Sequence, residues 1–247
     1  MINYNYNDAI NILRDIYWVG FYDAEADLHC NPYLMIDGLD VILFDPGSIP
    51  HFPIVMRKII DLIHPETITH IIASHQDPDI CGNLPIMEDL INNPDLLIVT
   101  ESQCVRLIHH YGINSGYYKV DKNNNILTLK SGRVFEFIPT PYLHSPFAMM
   151  TFDTKTKTLF SSDIFGTISK DWGLFKEVTS TFEAMKSWHQ TIMPSRVILK
   201  RCMERLEKIN IERILPQHGS IIEGKEAVNA AIAFLKDLPC GIDLDEL

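Results

Sequence analysis

The chain has 247 residues, 46% of them hydrophobic, and a formal net charge of −11. That is enough apolar material for a substantial core, and the 21% share of charged residues excludes a disordered or low-complexity chain. The acidic balance, without clustered Lys and Arg, argues against a nucleic-acid surface. The five cysteines include no Cys-x-x-Cys pair, which argues against a disulfide framework or thiolate zinc site and for a reducing cytoplasm.

The first residues, Met1 to Asp8, are polar and acidic, unlike a secretory signal. No apolar run reaches the length of a membrane span. Residues Ala9 to Gly20 and Asn31 to Asp45 read as strands. Tyr33–Ile36 and Val41–Phe44 flank Asp37-Gly38, a hairpin signal, and the second run stops at Asp45-Pro46-Gly47. Asp45, at a strand end, should accept hydrogen bonds from a neighbouring loop, as a structural anchor or as support for a site.

Phe52 to Ile63 has helical spacing, with Ile54, Val55, Ile59, Leu62 and Ile63 on one side and His64-Pro65 as its stop. Thr67 to Ala73 is a short β-branched strand, Leu84 to Ile91 a helix, Leu96 to Thr100 a strand, and Glu101 to Tyr111 a helix stopped by Gly112. From Phe52 the alternation argues for layered α/β architecture. Ile126–Leu129 and Arg133–Ile138 read as a hairpin, followed by strands at Phe147–Phe152 and Lys157–Phe160. Helices are expected at Phe182–His189, Val197–Ile209 and Lys225–Leu235, with a short strand at Ile214-Leu215. An αββα sandwich accommodates this order. No Pro-, Gly- or Ser-rich linker divides the chain, so residues 1–247 are read as one domain.

The stretch with chemistry in it is His75-Gln76-Asp77-Pro78-Asp79-Ile80-Cys81-Gly82-Asn83, leaving the apolar run Ile71-Ile72-Ala73. One imidazole and two carboxylates at alternate positions can turn toward one centre, and this donor mix suits zinc, iron or manganese. Three ligands from one loop do not complete a site. His144, Asp163 and His218 each follow a further strand-like run, the position on a sheet rim where sites are built. Taken singly, each is more commonly a structural residue; the recurrence at four strand ends reverses that judgement. The other histidines, 29, 51, 64, 70, 109, 110 and 189, fall in turns or helices and read as structural, as does Cys81, a small buried thiol.

Together these segments resemble the metallo-β-lactamase superfamily, whose leading motif is His-x-His-x-Asp-His. With Asp77 in place of the second His, the chain looks like the flavodiiron branch, where the motif is His-x-Glu-x-Asp. Asp45-Pro46-Gly47, Ser162-Asp163-Ile164-Phe165-Gly166, Ile192-Met193-Pro194 and Leu215-Pro216-Gln217-His218-Gly219 match further segments of that branch. Ile80 stands where the family often has His, and Asp77 is one methylene shorter than Glu. Flavodiiron proteins continue into a flavodoxin domain, whereas this sequence ends at Leu247 without a Gly-rich phosphate loop. It is therefore most similar to the stand-alone oxygen-binding di-iron proteins.

The resemblance implies a metallo-β-lactamase-type αββα fold holding two bridged non-haem irons, with zinc or manganese as alternatives. One metal would take His75, Asp77, His144 and Asp163; the other would take Asp79 and His218, with Asp163 bridging. It implies O2 as ligand and a head-to-tail homodimer. It also implies either a signalling partner of chemotaxis type or a redox donor of rubredoxin or flavodoxin type, since full reduction of O2 needs electrons from outside. Binding and sensing are expected ahead of efficient reduction. The rival reading is a zinc hydrolase, a phosphodiesterase or thioesterase, in which a bridging hydroxide attacks an ester; the acid at Asp77 argues against it. Tyr142 and Trp172 border the proposed ligands, and Met149 and Met150 read as core.

Overall fold

A computed structural model describes residues 4–23 and 26–244; the first three residues of the N-terminal stretch and the last three of the chain lie outside it. The chain forms two compact units, one from the residues up to 24 and 29–133, the other from 25–28 and 134–247. No helix among the described residues is long and apolar enough to cross a membrane.

The first unit contains a seven-stranded sheet. The segment read as one strand from Ala9 to Gly20 is two, β1 (Ile10–Leu13) and β2 (Ile16–Trp18), paired antiparallel. β3 (Tyr33–Asp37) and β4 (Asp40–Phe44) form the expected hairpin. Pairing runs out to Asp37 opposite Asp40, leaving Gly38 and Leu39 as the turn, with Gly38 at φ +67°. From β4 the sheet becomes parallel, through β5 (His70–Ile72), β6 (Leu97–Thr100) and β7 (Gly116–Lys119). β7, a Gly-Tyr-Tyr-Lys strand, had no periodic signal because none of its residues is fully buried.

Helix α1 (Phe52–Ile60) buries Val55, Met56, Lys58 and Ile59, whereas Ile54, expected inside, is 40% exposed. Lys58 is buried because its ammonium donates to the carbonyls of Tyr6 (2.7 Å) and Gly20 (2.6 Å) and lies 4.0 Å over the Trp18 ring. Two further helices follow, α2 (Pro78–Cys81) and α3 (Leu84–Ile91). The helix expected over Glu101–Tyr111 is shorter, α4 (Val105–Ile108) with a 3₁₀ turn after it. Glu101 instead closes the turn that precedes it, its carboxylate accepting from the Cys104 amide.

In the second unit β8 (Val134–Pro139), β9 (Met149–Asp153) and β10 (Thr158–Ser162) are antiparallel neighbours. β11 (Arg213–Pro216) then joins β10 in parallel, and β12 (Ile222–Glu223) closes the edge. Helices α5 (Phe182–Ile192), α6 (Arg196–Leu206) and α7 (Lys225–Lys236) pack on this sheet. Their core includes Met150, Leu159, Phe165, Met185, Leu199 and Ile232.

Parallel pairing decides where the polar residues go. Phe44, Ile72 and Val99 stand level in register, so Asp45 and the Ser74-His75 segment leave the same edge of the first sheet. Ser162 is level with Pro216, so Asp163 and His218 leave the same edge of the second. Carboxyl ends of parallel strands are where α/β proteins place their sites.

Candidate metal centre

In the first unit the motif is not an open loop. Asp77 has extended backbone and starts a helical turn at Pro78, its carbonyl accepting from the amides of Ile80 and Cys81. Pro78 suits that first position because its missing N–H would have no intrahelical partner. The Asp77 side chain makes no capping bond, and its Oδ2 stands 3.6 Å from His75 Nε2. His75 is 1% exposed, and its other nitrogen, Nδ1, pairs with the Ser74 hydroxyl at 3.1 Å. An imidazole held at one nitrogen and presenting the other beside a carboxylate is arranged as a metal ligand. Asp79 lies half-buried in the first turn of α2; it does not cap α3, whose N-cap position is Asn83.

This segment is pinned from several sides. The Asp45 carboxylate accepts from the Ser74 amide at 2.8 Å, the role its strand-end position implied. Gly47 N–H donates to Ile80 O, and Asn83 returns a bond to Pro46 O at 2.7 Å. Cys81 is a fully buried thiol whose S–H donates to His75 O at 2.9 Å; burial first, then nearby negative groups, holds it well above the usual thiol range. Tyr111 donates to Gln76 O at 3.0 Å. Burial, followed by the negative field of Cys81, Asp77 and Asp79, pushes its hydroxyl up to about 12, so it remains a donor at any physiological pH.

In the second unit three of the sequence-derived candidates meet. Asp163, 3% exposed, turns Oδ2 to His144 Nε2 at 2.9 Å and Oδ1 to His218 Nε2 at 3.5 Å. His218 is 1% exposed; the His144 side chain is 27% exposed. Each carboxylate oxygen thus faces an imidazole from a different element. Around them Tyr142, Ser162 and Phe165 hold positive φ of 66°, 55° and 68°, a conformation that costs non-glycine residues about 1–2 kcal/mol each. That strain places His144 and Asp163 where regular strand continuation would not. Tyr142 itself is 56% exposed, while Trp172 donates to Gly219 O at 3.0 Å and so holds the turn after His218. Met149 and Met150 are core, as expected.

The family model described as ODP family beta lactamase matches residues 28–219. The chain belongs to this family. ODP-family membership agrees with the mixed α/β class and metallo-β-lactamase fold expected from the sequence. A solved peroxy diiron species of a chemotaxis sensor ODP superposes with a TM-score of 0.80 at 25% identity, covering 96% of this chain and 98% of that one. The apo state of the chemotaxis sensor ODP from T. denticola gives 0.80 at 26% identity, with 96% of each chain covered. Among curated proteins, the anaerobic nitric oxide reductase flavorubredoxin of Enterobacter sp. (strain 638) is 28% identical over 233 residues, 86% of this chain and 48% of that protein. The chain spans about half the length of such curated relatives.

Two residues of this ODP-family chain escaped the sequence reading. His189, set aside as structural, is fully buried, its Nδ1 pairing with Met185 O at 2.7 Å and its Nε2 accepting from the Phe165 amide at 3.1 Å. Burial lowers its pKa to about 4. Its neighbour Trp188 donates to Asp163 O at 2.9 Å and sets its ring edge against His218, centroids 5.1 Å apart. Both sit on α5, 25 residues or so beyond Asp163 in sequence, and nothing in the local pattern distinguishes them from ordinary helix residues.

Proposed function

We propose that the chain holds one binuclear non-haem iron centre that binds O2, in a protein whose role is oxygen binding or sensing. One metal would be held by His75, Asp77, His144 and Asp163, the other by Asp79 and His218, with Asp163 bridging. The observation that carries this reading is the buried Asp163 carboxylate, with one oxygen turned to His144 and the other to His218. A bridging carboxylate needs that division. One family model runs over residues 28–219, which supports reading the chain as one domain.

The residues fit the group. The imidazole and carboxylate donors of this set suit non-haem iron and leave coordination positions open. When bound, two ferrous ions would offer O2 an open site and electrons. The chain's own part is to orient and to exclude. Ser74 holds the rotation of the His75 ring, Asp45 fixes the backbone that carries it, and the burial of His75, Asp163 and His218 keeps bulk water from competing for the ligands.

A regulatory role as an oxygen sensor, with a chemotaxis-type signalling partner, is favoured by the likeness to the chemotaxis sensor ODP over nearly the whole of both chains. An external rubredoxin- or flavodoxin-like donor would be needed for net reduction. A homodimer and a cytoplasmic location complete the proposal.

The test is anaerobic purification, metal analysis, and an optical spectrum before and after air. About two irons per chain, with a visible band that appears on exposure to oxygen, is the expected result. Zinc in place of iron, with no spectral change, would overturn it and direct the work to phosphodiester and thioester substrates. Asp77→Ala should lose metal.

A further inference from the structure

The proposed ligands in the second unit rest on helix α5, of which the matched segments include only the last residue, Ile192. Asp163 begins a tight turn, Asp163-Ile164-Phe165-Gly166, in which Gly166 N–H bonds back to Asp163 O at 3.1 Å. That carbonyl also accepts from Trp188 Nε1 at 2.9 Å. The amide two residues on, at Phe165, donates to His189 Nε2. Adjacent residues of α5 therefore grip the turn at two points, one as donor and one as acceptor. Trp188 also packs edge-to-face with His218, so a single side chain touches both the turn of the carboxylate and one of the imidazoles that flank it. Gly166 makes room for this: a Cβ there would stand 2.6 Å from Trp188 Nε1 and 2.8 Å from Asp163 O.

His189 suits its task because its state is defined. With Nδ1 donating to the Met185 carbonyl, Nε2 must accept. The bonds of Trp188 and His189 go to the backbone of the turn, at Asp163 O and Phe165 N, and Trp188 also packs on the His218 ring.

Resting on the reading of Asp163 and His218 as ligands, we infer that Trp188 and His189 form a positioning pair that aims Asp163 between its two histidines. Groups that orient ligands in this way are commonly worth 10–100-fold in metal affinity.

The experiment is an anaerobic competition titration of the full chain with Fe(II) and, in parallel, Co(II), against a chelator of known affinity. Thermal unfolding of each metal-free variant is measured alongside. Trp188→Phe keeps the ring and removes the donor, His189→Leu removes both bonds, His189→Gln restores a donor and an acceptor, and Gly166→Ala pushes the indole off the turn. We expect Trp188→Phe, His189→Leu and Gly166→Ala to weaken binding by roughly 10–100-fold, and His189→Gln to recover most of that loss. The Co(II) absorption bands, which report ligand geometry, should shift in Trp188→Phe. A structural role alone would lower the melting temperature and leave affinity and bands unchanged at temperatures where the variant is folded; that result overturns the proposal. Asp163→Asn separates the two readings. If it binds metal as the wild type does, Asp163 is not a ligand and the underlying site assignment fails. If it loses metal while Trp188→Phe and His189→Leu match the wild type, the assignment stands and the positioning role fails.

Discussion

His189 carries a pH signature that follows from its burial. Its folded pKa is lowered to about 4 from an ordinary 6.5. Between those values the unfolded chain takes a proton that the folded chain refuses. Stability from this residue is therefore complete above pH 6.5, declines as pH falls, and is gone below pH 4, a loss of about 3 kcal/mol. Urea unfolding of the metal-free protein at pH 7 and pH 4 should show the wild type losing more than His189→Gln over that interval; parallel losses would contradict the assignment. Asp45 offers a second test at this scale. Its carboxylate holds the Ser74 amide, so Asp45→Ala leaves a buried donor unsatisfied. The expected cost is about 1–3 kcal/mol, read as a lower urea midpoint, together with weaker metal retention through a loosened His75. Asp45 was legible as an acceptor because a carboxylate at the end of an apolar strand has to be satisfied. His189 was not, because a histidine in a helix carries no local mark of what its ring reaches.

At the level of elements, the motif segment takes a form that its alternating spacing did not suggest. His75, Asp77 and Asp79 read as an alternating loop, whereas Pro78 nucleates a helical turn and puts Asp79 inside α2. Ile80, where related motifs often have His, is fully buried in that turn, and its carbonyl accepts from Gly47. Ile80→His should therefore cost about 2 kcal/mol or more, since it swaps core volume for a polar ring. A variant as stable as the wild type in urea would argue against this burial. The turn after His218 is equally specific. Gly219 has φ +91°, and a Cβ there would meet Thr167 Oγ1 at 2.1 Å. Gly219→Ala should unfold several degrees below the wild type and bind metal less well, because His218 moves with its neighbour.

For the molecule as a whole, the expectation concerns linkage between metal and stability. A centre held by residues far apart in sequence would bind only the folded chain, so metal at a hundred times its dissociation constant adds about 2.7 kcal/mol. For a chain of this size that is a shift of roughly 5–10 °C in melting temperature. Calorimetry with and without chelator should show this difference in the wild type and little of it in Asp163→Asn. An equal response in both proteins would count against Asp163 as a ligand.

The sequence by itself determined the class of the fold and which residues to propose as donors. Apolar periodicity marks most of the strands and helices, and a residue that ends such a run lands on a sheet rim whatever the packing. This is why His75, Asp77, Asp79, His144, Asp163 and His218 could be singled out in order along the chain. Tertiary structure alone decided the register that levels Ser162 with Pro216, the division of the Asp163 oxygens between two imidazoles, and the grip of α5 on the Asp163 turn. Those facts depend on hydrogen bonds between residues tens of positions apart. Local propensity reports how a segment folds; which distant donor meets which acceptor is settled only when the packed core brings them within 3 Å or so of each other.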